Sequence, residues 1–311
     1  MQTIYKKYIS SLFTQLKRSA QLWLCHSLVP HQFYSTKNSN RFLLSRRVLS
    51  FSFISFAVYL TSCQKVINIG LNEAEKKYVV EAVLTDQPNS CKVLLTQTKN
   101  FSENNTFNGV VGAQVTIADN NAAPVTLTET SPGVYENKLT GVSGHTYTLT
   151  VKVAGQTFTS TSTMPALVPF DSLYISERTF FGETNKYATV SLKDPPGIGN
   201  AYRCVQYVNG VKEKTIFVRD DSYSDGRQME NTLYFFSNDD NDEKKLKAGD
   251  NVRIDLLSID YPVYKYWFSL AQSSTGENQS ATPGNPSTNI KGGALGYFSA
   301  QTLQSKTVAV K

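Results

Sequence analysis

The chain has 311 residues, a formal net charge of +6, and hydrophobic side chains at 40% of its positions. Eight of its 31 lysines and arginines precede Cys63, a stretch without aspartate or glutamate, which leaves 23 basic against 25 acidic residues in the remainder. Because the positive charge is confined to the leading segment, the composition gives no support to nucleic acid as a partner, and we expect none.

The first pattern along the chain, in residues 42–62, has the order of a secretion signal. Two arginines are followed by the apolar run 48–60, and small residues come directly before Cys63. A run of about a dozen residues falls short of the ~20 that a transmembrane helix needs. The arrangement resembles the bacterial lipobox, in which the cysteine thiol is acylated and becomes the mature N-terminus. An ordinary secretory signal with a chance cysteine is the alternative.

The chain divides into five predicted segments. They are residues 1–41, an extension or mis-called start; 42–62, the lipoprotein signal peptide; 63–76, the lipidated cysteine and a polar tether; 77–164, a β-sandwich domain; and 170–311, a second β-rich domain. Several acyl chains, at ~0.8 kcal/mol per buried methylene, hold a protein stably at a membrane. We therefore expect the membrane to be a partner through the lipid on Cys63.

Residues 77–164 alternate apolar and polar side chains with a period of two, which predicts half-buried β-strands. The predicted strands are Tyr78–Leu84, Cys91–Gln97, Gly112–Ala118, Val125–Thr128, Gly133–Leu139, Thr146–Val153 and Thr157–Thr163. Short strands at a spacing of about ten residues indicate a sandwich. The glycine and aromatic spacing from Gly112 to Leu149 is similar to that of carboxypeptidase-regulatory-like or transthyretin-like (Ig-like) sandwiches.

The segment 164–169 contains two prolines and predicts a domain boundary, because proline is excluded from central strands. Beyond it, strands are predicted at Ser172–Thr179, Lys186–Leu192, Ala201–Val208, Lys212–Val218, Thr232–Phe236, Asn251–Ile259, Gly296–Thr302 and Lys306–Val310. One amphipathic helix is predicted after Asp260, because apolar residues from Val263 to Leu270 recur at helical spacing. We therefore predict an all-β fold of two tandem sandwich-like domains, the second with one short amphipathic helix.

Catalytic residue types are scarce beyond Cys63. The histidine found there, His145, adjoins a predicted strand and is interpreted as a surface residue, while Cys91 alternates with apolar residues as a buried hydrophobe does. Serine or cysteine catalysis needs a histidine base beside the nucleophile, and neither the phosphate-binding loop nor the dinucleotide glycine pattern occurs in a suitable context. We therefore predict that the protein is not an enzyme and binds no cofactor.

An acidic run at residues 238–243 is the candidate for a metal. Its carboxylates Asp239, Asp240 and Asp242 are of the kind that binds calcium, but the run lacks the glycine of an EF-hand loop and two lysines follow it. A solvated turn is the preferred interpretation, so no metal site is predicted.

Aromatic side chains flank a long segment rich in serine, glycine and proline, residues 273–293. Tyr264 and Trp267 precede it on the predicted helix, and Tyr297 and Phe298 follow it on the last strands. Aromatic residues on a rigid support beside a long loop are typical of recognition surfaces. These four residues are the predicted ligand or partner contacts. In the alternative, Tyr297 and Phe298 are core residues and the segment is a simple crossover.

Short motifs in a fixed order point to a family. They are Cys63, Tyr78–Ala82, Asp194–Pro196 followed by Asn200–Arg203, the helix near Tyr266, and Gly292–Ala300 after Asn285-Pro286. Together they resemble the Bacteroidetes lipoproteins of domain-of-unknown-function family 4249 (DUF4249). The resemblance implies an outer-membrane lipoprotein, often encoded beside a TonB-dependent transporter, without established enzymatic activity. Asp171-Ser172-Leu173 also resembles an O-glycosylation sequon of that phylum, with Ser172 as the modified residue.

The predicted function is that of a non-enzymatic accessory or binding subunit, lipid-anchored at the outer membrane, with a TonB-dependent transporter as candidate partner. The residues directly after Cys63 lack the acidic cluster that is associated in that phylum with export to the outer face, so the periplasmic or surface-facing side stays open. The alternative is a surface carbohydrate-binding or glycan-processing protein, whose carboxylate pair need only be ~5 to 9 Å apart in space.

Overall fold

The computed structural model describes residues 75–100, 103, 106–120, 122–180, 182–235, 245–274 and 284–311. Cys63, the calcium candidates Asp239, Asp240 and Asp242, and the segments 1–41 and 42–62 lie outside the described residues. Those that are described form sixteen β-strands and one α-helix. The predicted all-β class with one helix is confirmed.

The first half consists of short strands in which buried and exposed side chains alternate. They are β1 (Tyr78–Thr85), β2 (Cys91–Gln97), β3 (Gln114–Asp119), β4 (Val125–Thr126), β5 (Thr128–Ser131), β6 (Val134–Asn137), β7 (Thr146–Val153) and β8 (Gln156–Thr163). Most predicted strands of this half are confirmed with small shifts at their ends. The prediction Val125–Thr128 is wrong, because the chain crosses from one sheet to another at the buried Leu127.

The second half contains longer strands and the helix. They are β9 (Ser172–Phe180), β10 (Glu183–Lys193), β11 (Ala201–Val208), β12 (Val211–Lys212), β13 (Phe217–Asp220), β14 (Gln228–Thr232), β15 (Asn251–Ile259), α1 (Tyr261–Ser274) and β16 (Leu295–Ala309). The predicted strand Lys212–Val218 is wrong, since residues 213–216 separate β12 from β13. The two predicted C-terminal strands are one continuous strand, β16.

The predicted strand Thr232–Phe236 is also wrong, because β14 ends at the residue where that strand was expected to begin. The residues after Thr232 form an apolar, aromatic run that packs on β10 beyond the end of the strand. The rings of Tyr234 and Phe235 both lie with their centroids 5.2 Å from that of Tyr187 on β10. One further backbone bond, from the Leu233 N–H to the Ala188 carbonyl at 2.9 Å, follows β14. Beyond it, ring packing rather than strand pairing holds Tyr234 and Phe235 against β10.

Three sheets make up the described fold. The largest runs in the order β12-β11-β15-β16-β1-β2-β6-β5, with β13 also paired to β11. The four-stranded sheet β4-β3-β7-β8 shares one hydrophobic core with strands β1, β2 and β6 of the large sheet. The three-stranded sheet β14-β10-β9 shares another core with strands β11 and β15 of the large sheet. The fold is therefore two sandwiches built on one common sheet.

Strand β16 joins the two sandwiches. Residues Leu295–Gln301 pair in parallel with β1, and Thr302–Ala309 pair antiparallel with β15. Its two faces enter different cores, since Phe298 packs in the first sandwich while Tyr297 packs in the cluster that includes α1. The predicted boundary at 164–169 contains no strand, and the large sheet includes strands from both sides of it.

Helix α1 begins directly after β15, as predicted, and Asp260 caps it. The Oδ1 atom of Asp260 accepts a hydrogen bond from the Val263 N–H at 3.1 Å, as helix N-caps do. Its Oδ2 accepts bonds from Ser162 Oγ at 2.8 Å and the Thr163 N–H at 3.1 Å, which tie the helix start to β8. None of the helical structure in the described residues is long and apolar enough to cross a membrane.

Candidate functional site

The structure brings two of the four predicted contact residues together. Trp267 of α1 and Tyr297 of β16 meet edge to face with ring centroids 5.0 Å apart, and Tyr266 packs on Tyr297 at 4.7 Å. The side chains of Trp267 and Tyr297 are only 9% and 7% exposed to solvent. They form part of the hydrophobic cluster beneath α1 rather than an open surface.

Tyr264, the third predicted contact, is half-buried on the same helix, where it packs against the edge of the cluster beneath α1 and extends toward the outer face. Its ring contacts Tyr261 at 5.5 Å and Phe268 at 5.7 Å between centroids, and these two neighbours are 45% and 46% exposed. Positions 261, 264 and 268 share a face because residues three, four and seven apart line one side of a helix. We call Tyr261, Tyr264 and Phe268 the outer α1 strip.

Phe298, the fourth predicted contact, is fully buried in the core of the first sandwich, so in this position it cannot touch a partner. The described part of the preceding segment, residues 284–293, also packs on the fold. The Asn289 side chain bonds both backbone groups of Phe298, at 2.8 and 2.9 Å, and Lys291 exchanges backbone hydrogen bonds with Thr159 of β8. This stretch is therefore a crossover that covers the edge of β8.

Arg203 on β11 organises the region beside Trp267, although sequence reasoning placed it only in a family motif. Its guanidinium carbon lies 3.4 Å from the centroid of the Trp267 ring, a close cation–π contact. Among the described residues, neither Arg203 Nε nor Trp267 Nε1 has a hydrogen-bond partner, and both atoms are buried. Burial lowers the pKa of Arg203, and the nearby phenols of Tyr297, Tyr207 and Tyr266 oppose that shift. A half-buried cation, with one buried and unpaired donor atom, therefore lies in an aromatic setting.

A cavity of about 330 Å³ adjoins this pair of residues and is open to solvent. It is lined by Arg203, Cys204, Val205, Lys212, Glu213, Lys214, Thr215, Ile216 and Trp267. Three of these side chains are cationic and one is anionic. Partial burial and then the charge of Arg203 lower the pKa of Lys212. The result, which we call the Arg203 cavity, is a cationic cleft with one aromatic wall.

The thiol in the wall of the Arg203 cavity is not a nucleophile. Cys204 is 4% exposed, and burial raises its pKa to about 12, so it is protonated at neutral pH. Cys91, in the first sandwich, is 1% exposed, and burial likewise raises its pKa to about 12. Both cysteines are free. The interpretation of Cys91 as a buried hydrophobe is confirmed.

A carboxylate cluster lies between the end of β10 and the loop after β13. One oxygen from each of Asp194, Asp221 and Asp225 lies within 4.8 Å of the others, a grouping that hard cations favour. Asp194 and Asp221 are buried, however, and their oxygens already accept hydrogen bonds. Asp194 accepts one from the phenol of Tyr202, and Asp221 accepts backbone N–H bonds at 2.8 to 3.1 Å. These hydrogen bonds explain why the carboxylates lie together: they connect the loop after β10 to the loop after β13.

Two further residues from the sequence analysis lie away from this region. His145 places its Nδ1 atom 2.8 Å from Asp119 Oδ1, and its side chain is 38% exposed. Ser172 is the first residue of β9 and is exposed, as an acceptor of a glycan has to be. Neither residue contributes to the Arg203 cavity.

Comparison with known proteins gives a family match over most of the chain. The family model described as "Domain of unknown function (DUF4249)" matches residues 64–307 of the chain. None of the curated proteins matches it. Among solved structures, a segment of two fibronectin type-III domains from chicken tenascin is similar at a TM-score of 0.23 and 11% sequence identity, covering 76% of this chain and 100% of that one. The family match begins one residue after Cys63 and includes every residue of the Arg203 cavity.

Proposed function

We propose, from the premise that this chain belongs to the DUF4249 family, that it is a lipid-anchored binding subunit of the bacterial outer membrane and not an enzyme. Its partner in this proposal is a TonB-dependent transporter. The Arg203 cavity holds a small ligand, and the outer α1 strip contacts the transporter.

The observation that carries the proposal is the two-sided character of helix α1. Its inner face supplies Trp267 to the wall of the Arg203 cavity, while its outer face keeps Tyr261 and Phe268 at the surface. Exposed aromatic residues are enriched where proteins bind one another. One rigid element thus connects a candidate ligand site to a candidate partner surface.

The chemistry of the cavity favours binding over catalysis. Its thiol, Cys204, is protonated at neutral pH because burial raises its pKa to about 12. The Arg203 guanidinium stays charged throughout the physiological range and cannot act as a general base. Such groups position an anion or an acceptor but do not activate a nucleophile.

The glycan-processing alternative has less support from the described residues. The close carboxylates Asp194 and Asp221 are 0% and 1% exposed, so they do not reach a polysaccharide at the surface. Trp267 is a poor platform for a sugar ring, since the Arg203 guanidinium already covers one of its faces at 3.4 Å. The alternative therefore needs a carboxylate pair other than this one.

The anchor in this proposal is lipid on Cys63. Its support is the signal-peptide order of residues 42–62 and the beginning of the family match at residue 64. Labelled palmitate should be incorporated into the protein, and Cys63→Ser should abolish the label. Persistence of the label in that variant would contradict the assignment of Cys63 as the lipid anchor.

Affinity purification from detergent-solubilised envelopes tests the partnership. We expect a TonB-dependent transporter to co-purify with the wild-type protein and its yield to fall when Tyr261 and Phe268 are both replaced by serine. Val125→Ser is the matched control, because Val125 is also apolar and 42% exposed but lies on β4 of the other sandwich. Undiminished yield with the double variant would remove the outer α1 strip as the contact, and absence of any transporter would overturn the proposed partnership.

A further inference from the structure

We propose that the Arg203 cavity binds a small molecule bearing a carboxylate group. This inference rests on the proposed function, because it names the ligand class of the same site. Three features of the cavity carry it: its unpaired donors, its excess of positive charge, and the geometry of Arg203 against Trp267.

The unpaired donors require an acceptor. Arg203 Nε and Trp267 Nε1 are both buried without a partner among the described residues. A guanidinium and an indole nitrogen can only donate, so a neighbouring donor or an apolar group cannot satisfy them. A buried donor left unpaired is destabilising, which is why nearly all such groups have partners in folded proteins. Both residues line the same cavity. Each of the two nitrogens has under 1 Å² of accessible surface, so a ligand rich in acceptor oxygens pairs them through a rotation of these side chains toward the cavity.

The charge of the lining makes that ligand an anion. Arg203, Lys212 and Lys214 outnumber Glu213 in the lining. The carboxylates of Glu81 and Asp255, outside the lining, act on Lys212, which leaves Arg203 as a cation without an acidic partner among the described residues. No ion pair joins Arg203 to an acidic residue anywhere in the described parts of the chain. Buried charges are normally paired, because an isolated ion in a poorly solvated site is costly. An anion in the cavity supplies the missing counter-charge.

The geometry of Arg203 favours a planar carboxylate over a larger anion. The indole of Trp267 covers one face of the guanidinium at 3.4 Å, which leaves the edge donors to make contacts. Those donors form a fork that matches the two oxygens of a carboxylate. The cavity volume of about 330 Å³ is at the small end of the ~300–1,000 Å³ usual for ligand sites, which fits a metabolite-sized molecule.

Tryptophan fluorescence gives a direct test. The chain has 2 tryptophans, Trp23 and Trp267. Cleavage before Cys63 removes Trp23, and the Trp23→Phe variant leaves Trp267 as the only tryptophan whether or not cleavage takes place. The detergent-solubilised protein in this background is titrated with succinate, citrate, glutamate and benzoate, and in parallel with phosphate, sulfate and glucose. We expect a saturable fluorescence change with at least one carboxylate, weaker binding of phosphate and sulfate, and no response to glucose.

Variants of two stacked arginines provide the specificity control. Arg203→Met should weaken carboxylate binding by about tenfold or more, the usual effect of removing a charged hydrogen-bond donor. Arg203→Lys keeps the charge but loses the fork, and should lie between wild type and Arg203→Met. Arg253→Met should bind as wild type, because Arg253 stacks on Tyr207 at 3.9 Å and pairs with Asp255, outside the cavity. Circular dichroism establishes that each variant is folded.

Three results would overturn the inference: no response to any carboxylate in the folded protein, undiminished affinity in folded Arg203→Met, or tighter binding of phosphate than of every carboxylate. Each of these results can be distinguished from a failure of the proposed function. If the transporter co-purifies while carboxylates do not bind, the ligand class is wrong and the partnership stands. If carboxylates bind through Arg203 while no transporter co-purifies, the ligand class stands and the partnership is wrong.

Discussion

Among single residues, Gly296 shows how a close backbone approach determines which amino acid a position accepts. It lies opposite Val80 in the parallel pairing of β16 with β1, and its φ is +97°. A Cβ atom at this position would lie 2.0 Å from the Val80 carbonyl oxygen. Glycine alone avoids both the strain and the clash. The pairing that unites the two sandwiches therefore depends on the absence of a side chain.

We expect Gly296→Ala to lower the free energy of unfolding by roughly 2 to 4 kcal/mol, because it combines backbone strain with overpacking. Gly293→Ala is the matched control. Its φ is +93° but no atom lies within 4 Å of the added Cβ, so only strain applies. Denaturant unfolding measures both variants. Equal losses of stability would contradict the close approach to Val80.

Among the elements, helix α1 is capped by the carboxyl group of Asp260, whose ionised form is disfavoured by burial. Burial raises the pKa of Asp260, outweighing the hydrogen bonds from Ser162, Val263 and Thr163, which lower it. The folded protein then binds the Asp260 proton more tightly than the unfolded chain does. The contribution of this group to stability is therefore greatest below its unfolded-state pKa and is lost as the pH rises through the folded-state pKa.

The prediction for this element is a pH-dependent difference between wild type and Asp260→Asn. The amide cannot ionise, so the stability of the variant relative to wild type should rise between about pH 3 and pH 7. Asp250→Asn is the opposite control, because hydrogen bonds, first from the Lys247 N–H and then from Asn209, lower the pKa of Asp250. Its relative stability should fall over the same range. Urea unfolding at several pH values measures both, and parallel pH profiles for the two variants would refute the assignment.

At the scale of the whole molecule, the common sheet predicts that the two sandwiches unfold together. Strand β16 contributes Phe298 and Ala300 to the first core and Tyr297 to the cluster beneath α1. Its backbone is hydrogen-bonded to β1 on one side and to β15 on the other. Loss of this strand therefore removes packing and ladder bonds from both halves at once.

Two local probes can test this cooperativity in a background that carries Trp23→Phe, Cys25→Ala, Cys63→Ala and Cys204→Ala, where Trp267 and Cys91 are the tryptophan and the cysteine that remain. Trp267 fluorescence reports on the second half, and thiol labelling of Cys91, which is 1% exposed, reports on the first. We expect the same urea midpoint from both probes. Phe298→Ala should lower both midpoints equally, because deleting a buried phenylalanine typically costs ~3–5 kcal/mol. A shift confined to the Cys91 probe would mean that the sandwiches unfold independently.

The sequence by itself determined the local features of this protein. Strands such as Cys91–Gln97 and Asn251–Ile259 were predictable from alternation, because the period of two is a property of neighbouring residues. The cap at Asp260 and the buried thiol of Cys91 were predictable for the same reason. The strand predicted at Thr232–Phe236 is wrong, because β14 ends at Thr232 and the rings of Tyr234 and Phe235 pack on Tyr187 without strand pairing.

Only the tertiary structure decided which distant residues meet. The sequence analysis placed Arg203 only in a family motif, because its stacking on Trp267 depends on where α1 crosses the sheet. Likewise, Phe298 and Tyr297 are adjacent in sequence yet enter different clusters, because strand neighbours point to opposite faces. The pairing of β16 with β1 joins residues more than two hundred positions apart. Local propensity carries no information about such a contact, since it follows from the packing of the whole chain.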